Sequence, residues 1–329
     1  MRINNGLIND NRRFFDVCAI IFLVVHFFFL FLNWHNYPTE LDTPYHLLMG
    51  KMFADSGKIV LWDSYEFAPL GRPHLYPPLE YLLIWFMHTL TRLSYMDVGR
   101  ILAIGQGGLG LFFVWLISRK FFNAAIAFFS VIFFASNTDM WWWQTSVAPV
   151  ALVTVLFLPF IYFYYKKKVL LPVVLLTSCL YLHYGLSFTM VTTVLLASLC
   201  DAKYRKEYLK NFFIIFGVSV LLFTPWLLYI YEFKDYFFNR TIDVGTLLFF
   251  SLEIYFREVF FNLNNVLWLF LGVGLFYCYK HIKEDFKYSL LVAGFWSYFI
   301  YLFLFQGSRF NAHSPIVTSV FAGIGFFGS

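Results

Sequence analysis

The stretch that decides the class of fold is residues 14–34, FFDVCAIIFLVVHFFFLFLNW. It is almost entirely apolar and is about as long as the roughly 20 residues that a helix needs to cross a bilayer. Arg12 and Arg13 precede it, and no small-residue cleavage site of the signal-peptide type follows it. We therefore interpret it as a retained first membrane span.

The composition of the whole chain agrees with this interpretation. Of its 329 residues, 60% are hydrophobic and only 13% are charged, against roughly 25% charged residues in soluble proteins. This composition excludes a soluble globular domain. The four cysteines are far apart and lack C-x-x-C spacing, so the sequence predicts neither a disulfide framework nor a thiolate metal site. The net charge of +5 is interpreted as membrane topology, and no nucleic-acid partner is expected.

Apolar segments recur along the chain at a length that predicts helices. There are eleven of them: 14–34, 79–91, 98–118, 121–136, 147–165, 169–182, 184–200, 211–231, 263–279, 288–305 and 311–328. The second is too short for a full span, and it follows Pro77 and Pro78, which suit a helix start. We interpret 79–91 as a helix on the membrane surface.

The distribution of charge supports ten spans. With 79–91 on the surface, both termini face the cytoplasm, and 15 of the 24 Lys and Arg but only 6 of the 19 acids lie inside. If 79–91 crossed, the cluster 166–168 would move outside and break the positive-inside rule. We predict an all-α polytopic transmembrane bundle of about 10 spans. A long first extracytoplasmic loop, 35–97, carries interfacial helices, and a second outer loop covers 232–262.

Polar residues gather in the first outer loop. Asp42 precedes Pro44, so its carboxylate is either the N-cap of a helix over 44–56 or a base or metal ligand facing a polar cleft. Arg72 and His74 bracket a proline-rich turn and are candidate ligands for phosphate oxygens; the alternative is an exposed arginine and a hydrogen-bonded histidine. His46 and Tyr76 are further candidates in this loop.

Two later turns on the same face also carry polar residues. Asn137 and Asp139 present oxygens two residues apart, a pattern that suits either a hard divalent cation or helix capping. Arg309 follows Gly307 at the start of the last span, where it either reaches lipid head groups or binds a phosphate.

The order of these motifs resembles that of the GT-C superfamily of membrane glycosyltransferases, and most closely the transmembrane part of oligosaccharyltransferase catalytic subunits. The resemblance rests on DTPYH at 42–46, YPP at 76–78, NTDM at 137–140, GSRF at 307–310 and AGIG at 322–325. Asn137 replaces the first acid of that family's acid-x-acid motif. The family's soluble C-terminal domain has no counterpart here, so the sequence is either part of a longer chain or a smaller relative that glycosylates another acceptor. We expect the second, with a single transmembrane domain over 1–329.

The resemblance implies roles for particular residues. Asp42 would orient or deprotonate the acceptor, and Arg309, assisted by Arg72 or His74, would bind the donor phosphate. Mg²⁺ or Mn²⁺ would be held by Asp42 and Asp139. Asn137 and Glu253 are weaker candidates for that metal site.

The predicted function is transfer of a sugar from a polyprenyl (di)phosphate-linked donor to an unidentified acceptor at the extracytoplasmic face of the bilayer. Two alternatives stay open. A transporter or lipid flippase would need ionisable residues near the bilayer midplane, whereas the acids here gather at the outer face. A non-catalytic GT-C-like subunit is suggested by Asn137 and by the missing domain.

Overall fold

The computed structural model describes residues 5–39, 42–201, 204–238, 265–304 and 314–327. These residues form thirteen helices and one two-stranded hairpin. The first half contains α1 (Asn5–Leu32), a 3-10 turn (Trp34–Asn36), α2 (Thr43–Ser56), β1 (Trp62–Asp63), β2 (Arg72–Pro73), α3 (Leu79–Thr91), α4 (Tyr95–Phe121), α5 (Ala124–Ala135) and α6 (Thr138–Gln144). The second half contains α7 (Pro149–Tyr165), α8 (Leu170–Cys200), α9 (Arg205–Glu232), α10 (Lys234–Phe238), α11 (Asn265–Lys280), α12 (Phe286–Leu304) and α13 (Ser314–Phe327). The all-α prediction is confirmed.

Four of the described helices are long and apolar enough to cross a membrane: Arg12–Leu32 within α1, and α4, α8 and α9. Shorter apolar helices are Ala124–Ala135, Pro149–Tyr165, Leu269–Lys280 and Pro315–Phe327. Large apolar side chains cover the exposed face of α1, including Phe14, Val24 and Phe28. A surface of this kind is suited to lipid. The helices therefore support an integral membrane protein, while the count of about ten spans stays a prediction.

Helix α8 contains a break at one residue. His183 has φ −155° and ψ 95°, which are not helical values. Its Nδ1 accepts a hydrogen bond from the Leu186 N–H at 3.0 Å, as an N-cap side chain does for the helix that follows. The sequence predicts two separate segments, 169–182 and 184–200, whereas the structure joins them into one helix with a kink at His183.

The last helices pack backbone against backbone through glycines. A Cβ on Gly274 of α11 would overlap the Phe321 carbonyl of α13, and a Cβ on Gly325 would overlap the Phe270 carbonyl of α11. A Cβ on Gly323 would lie 2.8 Å from the Ile126 carbonyl oxygen of α5. Small residues permit this close approach of membrane helices, so the AGIG stretch is part of the helix packing.

The first outer loop folds into α2, the β1–β2 hairpin and α3. Helix α2 begins at Thr43, with Pro44 in its first turn, and ends at Gly57, whose φ of 63° suits glycine. Gly50 lies directly against Ile84 of α3, with the Ile84 Cβ 2.8 Å from where a glycine Cβ would stand. Both interfacial helices predicted for this loop are therefore present, over 43–56 and 79–91. The part of the second outer loop from 239 to 262 lies outside the described residues.

Candidate functional site

Four regions that are distant in sequence surround one small cavity. Asp42 and His46 from the start of α2 and Tyr76 from the loop before α3 form one side. The remaining lining comes from Trp143 of α6, Ala148, Pro149 and Val150 at the start of α7, and His183 at the break in α8. The cavity has a volume of about 20 Å³, which is room for about one water molecule.

Asp42 occupies the N-cap position of α2 but does not act as its side-chain cap. Its carboxylate accepts no hydrogen bond from the described first turn of the helix. Thr43 anchors this turn instead, because its hydroxyl donates to the Thr39 carbonyl at 2.9 Å and accepts from the Val147 N–H at 3.0 Å. Asp42 therefore lines the cavity and makes no side-chain cap bond, and its role as a base or metal ligand stays a prediction.

His46 is buried beside the cavity in an aromatic setting. Its Nδ1 lies 3.1 Å from the Tyr81 hydroxyl, and its ring stacks on Tyr81 at 5.7 Å between centroids. Tyr76 meets the same ring edge-on, also at 5.7 Å. These contacts fix the orientation of His46 and of the Tyr76 ring, both of which the sequence suggested as site candidates.

Helix starts surround the cavity as well. Helix α2 begins after Asp42, α7 begins at Pro149 after Ala148, and the second half of α8 begins after His183. The N-terminal end of a helix carries a partial positive charge from its aligned peptide dipoles. The partial positive charges of these helix ends therefore favour a negatively charged group at the cavity.

Arg72 and His74 do not line this cavity; they lie at β2 and directly after it, and the His74 ring is 6.5 Å from the ring of Tyr76. Arg72 forms an ion pair with Glu66 and stands 5.6 Å over the Phe67 ring. His74 is 1% exposed, and its Nδ1 lies 3.3 Å from the Tyr45 hydroxyl. Burial lowers the pKa of His74 to about 4, so the ring is neutral near pH 7 and adds no positive charge there.

The Tyr45 hydroxyl connects this hairpin to α2. It donates to Asp63 Oδ2 at 3.1 Å, while Asp63 Oδ1 accepts from the backbone N–H groups of Tyr65 and Glu66 at 2.9 and 3.1 Å. Asp63 is fully buried, so these bonds satisfy a carboxylate that would otherwise be costly to bury. The cluster holds the start of α2, and hence Asp42, against the hairpin.

The other predicted site residues are placed differently. Asn137 is buried before α6 and does not line the cavity. The side chain of Asp139, and the residues Glu253 and Arg309, lie outside the described part of the chain. Within that described part, no group of three His, Cys, Asp or Glu side chains is placed to hold a metal ion. The metal site stays a prediction.

Sequence reasoning did not assign His183 to this site. One feature of the sequence could have identified His183 as a site residue: it separates two apolar segments at a predicted outer turn, on the same face as Asp42.

An apolar groove lies close to the cavity. It is lined by Ile59, Pro78, Leu79 and Leu82 from the outer loop and α3, by Val173, Val174, Thr177, Ser178 and Tyr181 of α8, and by Leu222 of α9, with a volume of about 430 Å³. Pro78 and Tyr181 are each two residues from a residue that lines the cavity, Tyr76 and His183 respectively. Cavity and groove are therefore lined by neighbouring parts of the chain, at the loop before α3 and near the break in α8.

No family model and no curated protein matches the chain. Its fold is nevertheless shared with known structures, and the class that this fold defines is the oligosaccharyltransferase-like membrane bundle. The archaeal oligosaccharyltransferase AglB from Archaeoglobus fulgidus, in complex with an inhibitory peptide and a dolichol-phosphate, matches with a TM-score of 0.65 and 14% identity over 95% of this chain and 50% of that one.

Two further structures of the oligosaccharyltransferase from the same organism agree. One is tethered to an acceptor peptide containing the NVT sequon, with a TM-score of 0.64 and 13% identity over 95% of this chain and 49% of that one. The other is a complex with Zn and sulfate, with a TM-score of 0.60 and 13% identity over 88% and 45%. The chain thus spans about half the length of the proteins it matches, and identities this low show the fold alone.

Proposed function

We propose that this chain is a membrane glycosyltransferase. It transfers a sugar from a polyprenyl phosphate or diphosphate donor to an acceptor at the extracytoplasmic face. The observation that carries the proposal is the position of Asp42, which lines a cavity and makes no side-chain cap bond to the helix that it precedes. The fold shared with oligosaccharyltransferase structures supports the same reaction class.

In the proposed reaction, Asp42 acts as the general base. An acceptor hydroxyl attacks the anomeric carbon, and Asp42 takes the hydroxyl proton as the new carbon–oxygen bond forms. The bond between the anomeric carbon and the phosphate oxygen breaks, and its electron pair leaves with the polyprenyl phosphate. Direct attack inverts the anomeric centre. The helix starts around the cavity favour the negative charge that grows on the leaving phosphate.

The lipid part of the donor has a candidate site in the apolar groove between α3, α8 and α9. Residues that line the groove lie close in sequence to residues that line the cavity, and a polyprenyl chain lying in the groove with its phosphate toward Asp42 would match the proposed reaction. The cavity itself is water-sized, and we expect donor binding to widen it. Arg309, which the family resemblance assigns to the donor phosphate, belongs to the same proposal.

The test is a transfer assay with purified protein, labelled polyprenyl phosphate and diphosphate sugars, and membrane lipid and glycan extracts as acceptors, with and without EDTA. We expect Asp42→Asn to lower turnover by about 10²- to 10⁴-fold, the usual contribution of a general base. Asp55→Asn is the matched control, because Asp55 lies on the same helix, is exposed and pairs with Lys51.

Three outcomes of this assay would count against the proposal. Full activity of Asp42→Asn would remove Asp42 from the reaction. Donor binding without transfer to any acceptor would favour the non-catalytic subunit. Movement of the lipid donor across vesicles without transfer would favour the flippase.

A further inference from the structure

The tip of the β1–β2 hairpin, residues 64–71, carries large apolar side chains on its outside. Phe67 is 74% exposed and Leu70 is 83% exposed, which is more than Leu228 on the exposed apolar face of α9, at 65%. Tyr65 is exposed on the same tip. A single exposed apolar side chain needs no explanation, whereas a group of them on one tip marks a surface that contacts a partner or a membrane.

Hydrogen bonds hold this tip in one conformation. The Gly71 N–H donates to the Phe67 carbonyl at 3.1 Å, and the Trp62 indole N–H donates to the Leu70 carbonyl at 3.1 Å. Gly71 also lies so close to β1 that a Cβ there would be 2.5 Å from the Asp63 carbonyl oxygen. Phe67 and Leu70 therefore cannot turn inward, away from water, without breaking these contacts.

The tip carries no unpaired charge that would keep it in water. Glu66 is the one ionisable acid or base among residues 64–71, and its carboxylate forms an ion pair with Arg72. The Arg72 guanidinium in turn stands 5.6 Å over the Phe67 ring. A neutral tip with exposed aromatic and aliphatic side chains is suited to the boundary between lipid head groups and acyl chains.

The hairpin is attached to one end of α9. The Tyr229 hydroxyl, in the last turn of that helix, donates to the Leu61 carbonyl just before β1. The rings of Trp62 and Phe233 meet edge to face, with 6.5 Å between centroids. The exposed tip is therefore adjacent to the end of α9 that contains Glu232.

That end of α9 lies at the depth of a bilayer interface. The helix is one of the described helices that are long and apolar enough to cross a membrane, and its apolar run 211–231, which follows Lys210, matches the roughly 20 residues that cross the hydrocarbon core. At the end of this run, Tyr231 and Tyr236 are exposed, and Lys234 Nζ lies 5.0 Å from the Tyr231 ring. Exposed tyrosines and a lysine in such a position are typical of the membrane interface.

We propose that the hairpin tip docks into the bilayer, with the Phe67 and Leu70 side chains inserted at the boundary between head groups and acyl chains beside the Glu232 end of α9. The lipid that surrounds the apolar face of α9 then also covers the adjoining tip. Ile59, shortly before β1, lines the apolar groove, so docking would hold this edge of the groove at the leaflet. The inference concerns placement in the membrane and does not depend on sugar transfer.

The test measures the surroundings of single labelled cysteines in a chain with Cys200→Ser, reconstituted in phosphatidylcholine nanodiscs. A nitrobenzoxadiazole group is attached to Phe67→Cys or to Leu70→Cys. Leu228→Cys on the apolar face of α9 is the reference for lipid, and Asp55→Cys, at an exposed position on α2, is the reference for water. Quenching of each probe is measured with nitroxide-labelled phosphatidylcholine and with aqueous iodide.

We expect both hairpin probes to emit at shorter wavelength than the Asp55 probe. The nitroxide lipid should quench them about as strongly as it quenches the Leu228 probe, and iodide should quench them less than it quenches the Asp55 probe. Because the tip is held through backbone carbonyls of Phe67 and Leu70, which a cysteine retains, each variant should keep the thermal midpoint of the parent chain.

Two results would overturn the inference. Iodide quenching at either hairpin position that equals the quenching of the Asp55 probe would mean that the tip lies in water. Hairpin probes that are shielded from both quenchers would mean that protein, either another part of this chain or a second copy, covers the tip in place of lipid. Neither measurement involves turnover, so failure of the transfer assay leaves this inference standing, and failure here leaves the proposed reaction standing.

Discussion

At the residue scale, Glu80 stands out among the buried groups. It lies in the first turn of α3 with none of its side chain exposed, and neither of its carboxyl oxygens has a hydrogen-bond partner among the described residues. Burial raises the pKa of the Glu80 carboxyl well above its ordinary value. We expect the Glu80 carboxyl to be protonated in the folded protein, because a buried carboxylate without a hydrogen-bond partner has a higher free energy than the neutral acid.

Substituting Glu80→Gln should stabilise the protein near neutral pH. As the pH rises above the ordinary pKa of a glutamate, the unfolded state releases its proton and the folded state keeps it. Stability is therefore full at low pH and falls as the pH rises. Gln has nearly the same shape and does not ionise, so we expect a gain of at least about 1 kcal/mol at pH 7 and a flatter pH dependence.

Thermal unfolding between about pH 5 and about pH 8 checks this prediction. Glu232→Gln is the control, since Glu232 is exposed at the end of α9, and it should change neither the midpoint nor its pH dependence. A Glu80→Gln protein that is less stable than wild type at both pH values would mean that the carboxylate makes a bond in the functional protein.

The candidate site shows which residues could be identified from the sequence and which could not. Asp42, His46 and Tyr76 were identified from sequence and do line one cavity, because a Pro-initiated helix and a proline-rich turn are local signals. Arg72 and His74 instead make contacts around the hairpin: Arg72 forms an ion pair with Glu66, and the His74 Nδ1 lies within hydrogen-bond distance of the Tyr45 hydroxyl. His183 was placed at a turn, but its meeting with Asp42 depends on how α8 packs.

At the element scale, the sequence located most helices to within a few residues. The segment 79–91 is α3 itself, and 147–165 and 311–328 become α7 and α13 with slightly later starts. The main differences are at four helices. Helices α1 and α9 begin earlier than predicted, at Asn5 and Arg205, through polar first turns; α8 joins the predicted segments 169–182 and 184–200; and α6 lies in the predicted turn after 121–136. Hydrophobic patterns mark the buried or lipid-facing part of a helix, and they do not mark its polar ends.

The glycine contact between α11 and α13 provides a prediction for these elements. Gly274→Ala should destabilise the pair by roughly 1–3 kcal/mol, because the new Cβ would meet the backbone of Phe321, which cannot move aside as a side chain can. The matched control is Gly272→Ala on the same helix, whose Cβ would meet no described atom within 4 Å. Thermal unfolding in detergent distinguishes the two; similar midpoints for both variants would show that the helices are farther apart.

At the scale of the whole molecule, the unequal charge of the two faces predicts sidedness. Ser64 in the first outer loop and Lys168 after α7 are both exposed, and the ten-span arrangement places them on opposite sides of the membrane. In a chain with Cys200→Ser, because Cys200 is the exposed one of the four described cysteines, a membrane-impermeant maleimide should label Ser64→Cys in intact cells. It should label Lys168→Cys only after permeabilisation.

Labelling of both cysteines in intact cells would instead mean that 79–91 crosses the bilayer. Labelling of Lys168→Cys alone would mean that the orientation is inverted. Either result would also place the Asp42 cavity differently relative to the donor, so this experiment bears directly on the proposed reaction.

The sequence by itself determined the class of fold, because the length and spacing of apolar runs are fixed by the thickness of the bilayer. It also determined where α2 and α3 begin and that Asp42 stands at the head of α2, since prolines act on their immediate neighbours. Only the tertiary structure decided that Asp42, Tyr76, Trp143 and His183 share one cavity and that Arg72 and His74 do not line it. Those meetings depend on how helices far apart in the chain pack through particular side chains and glycines, which no local pattern specifies.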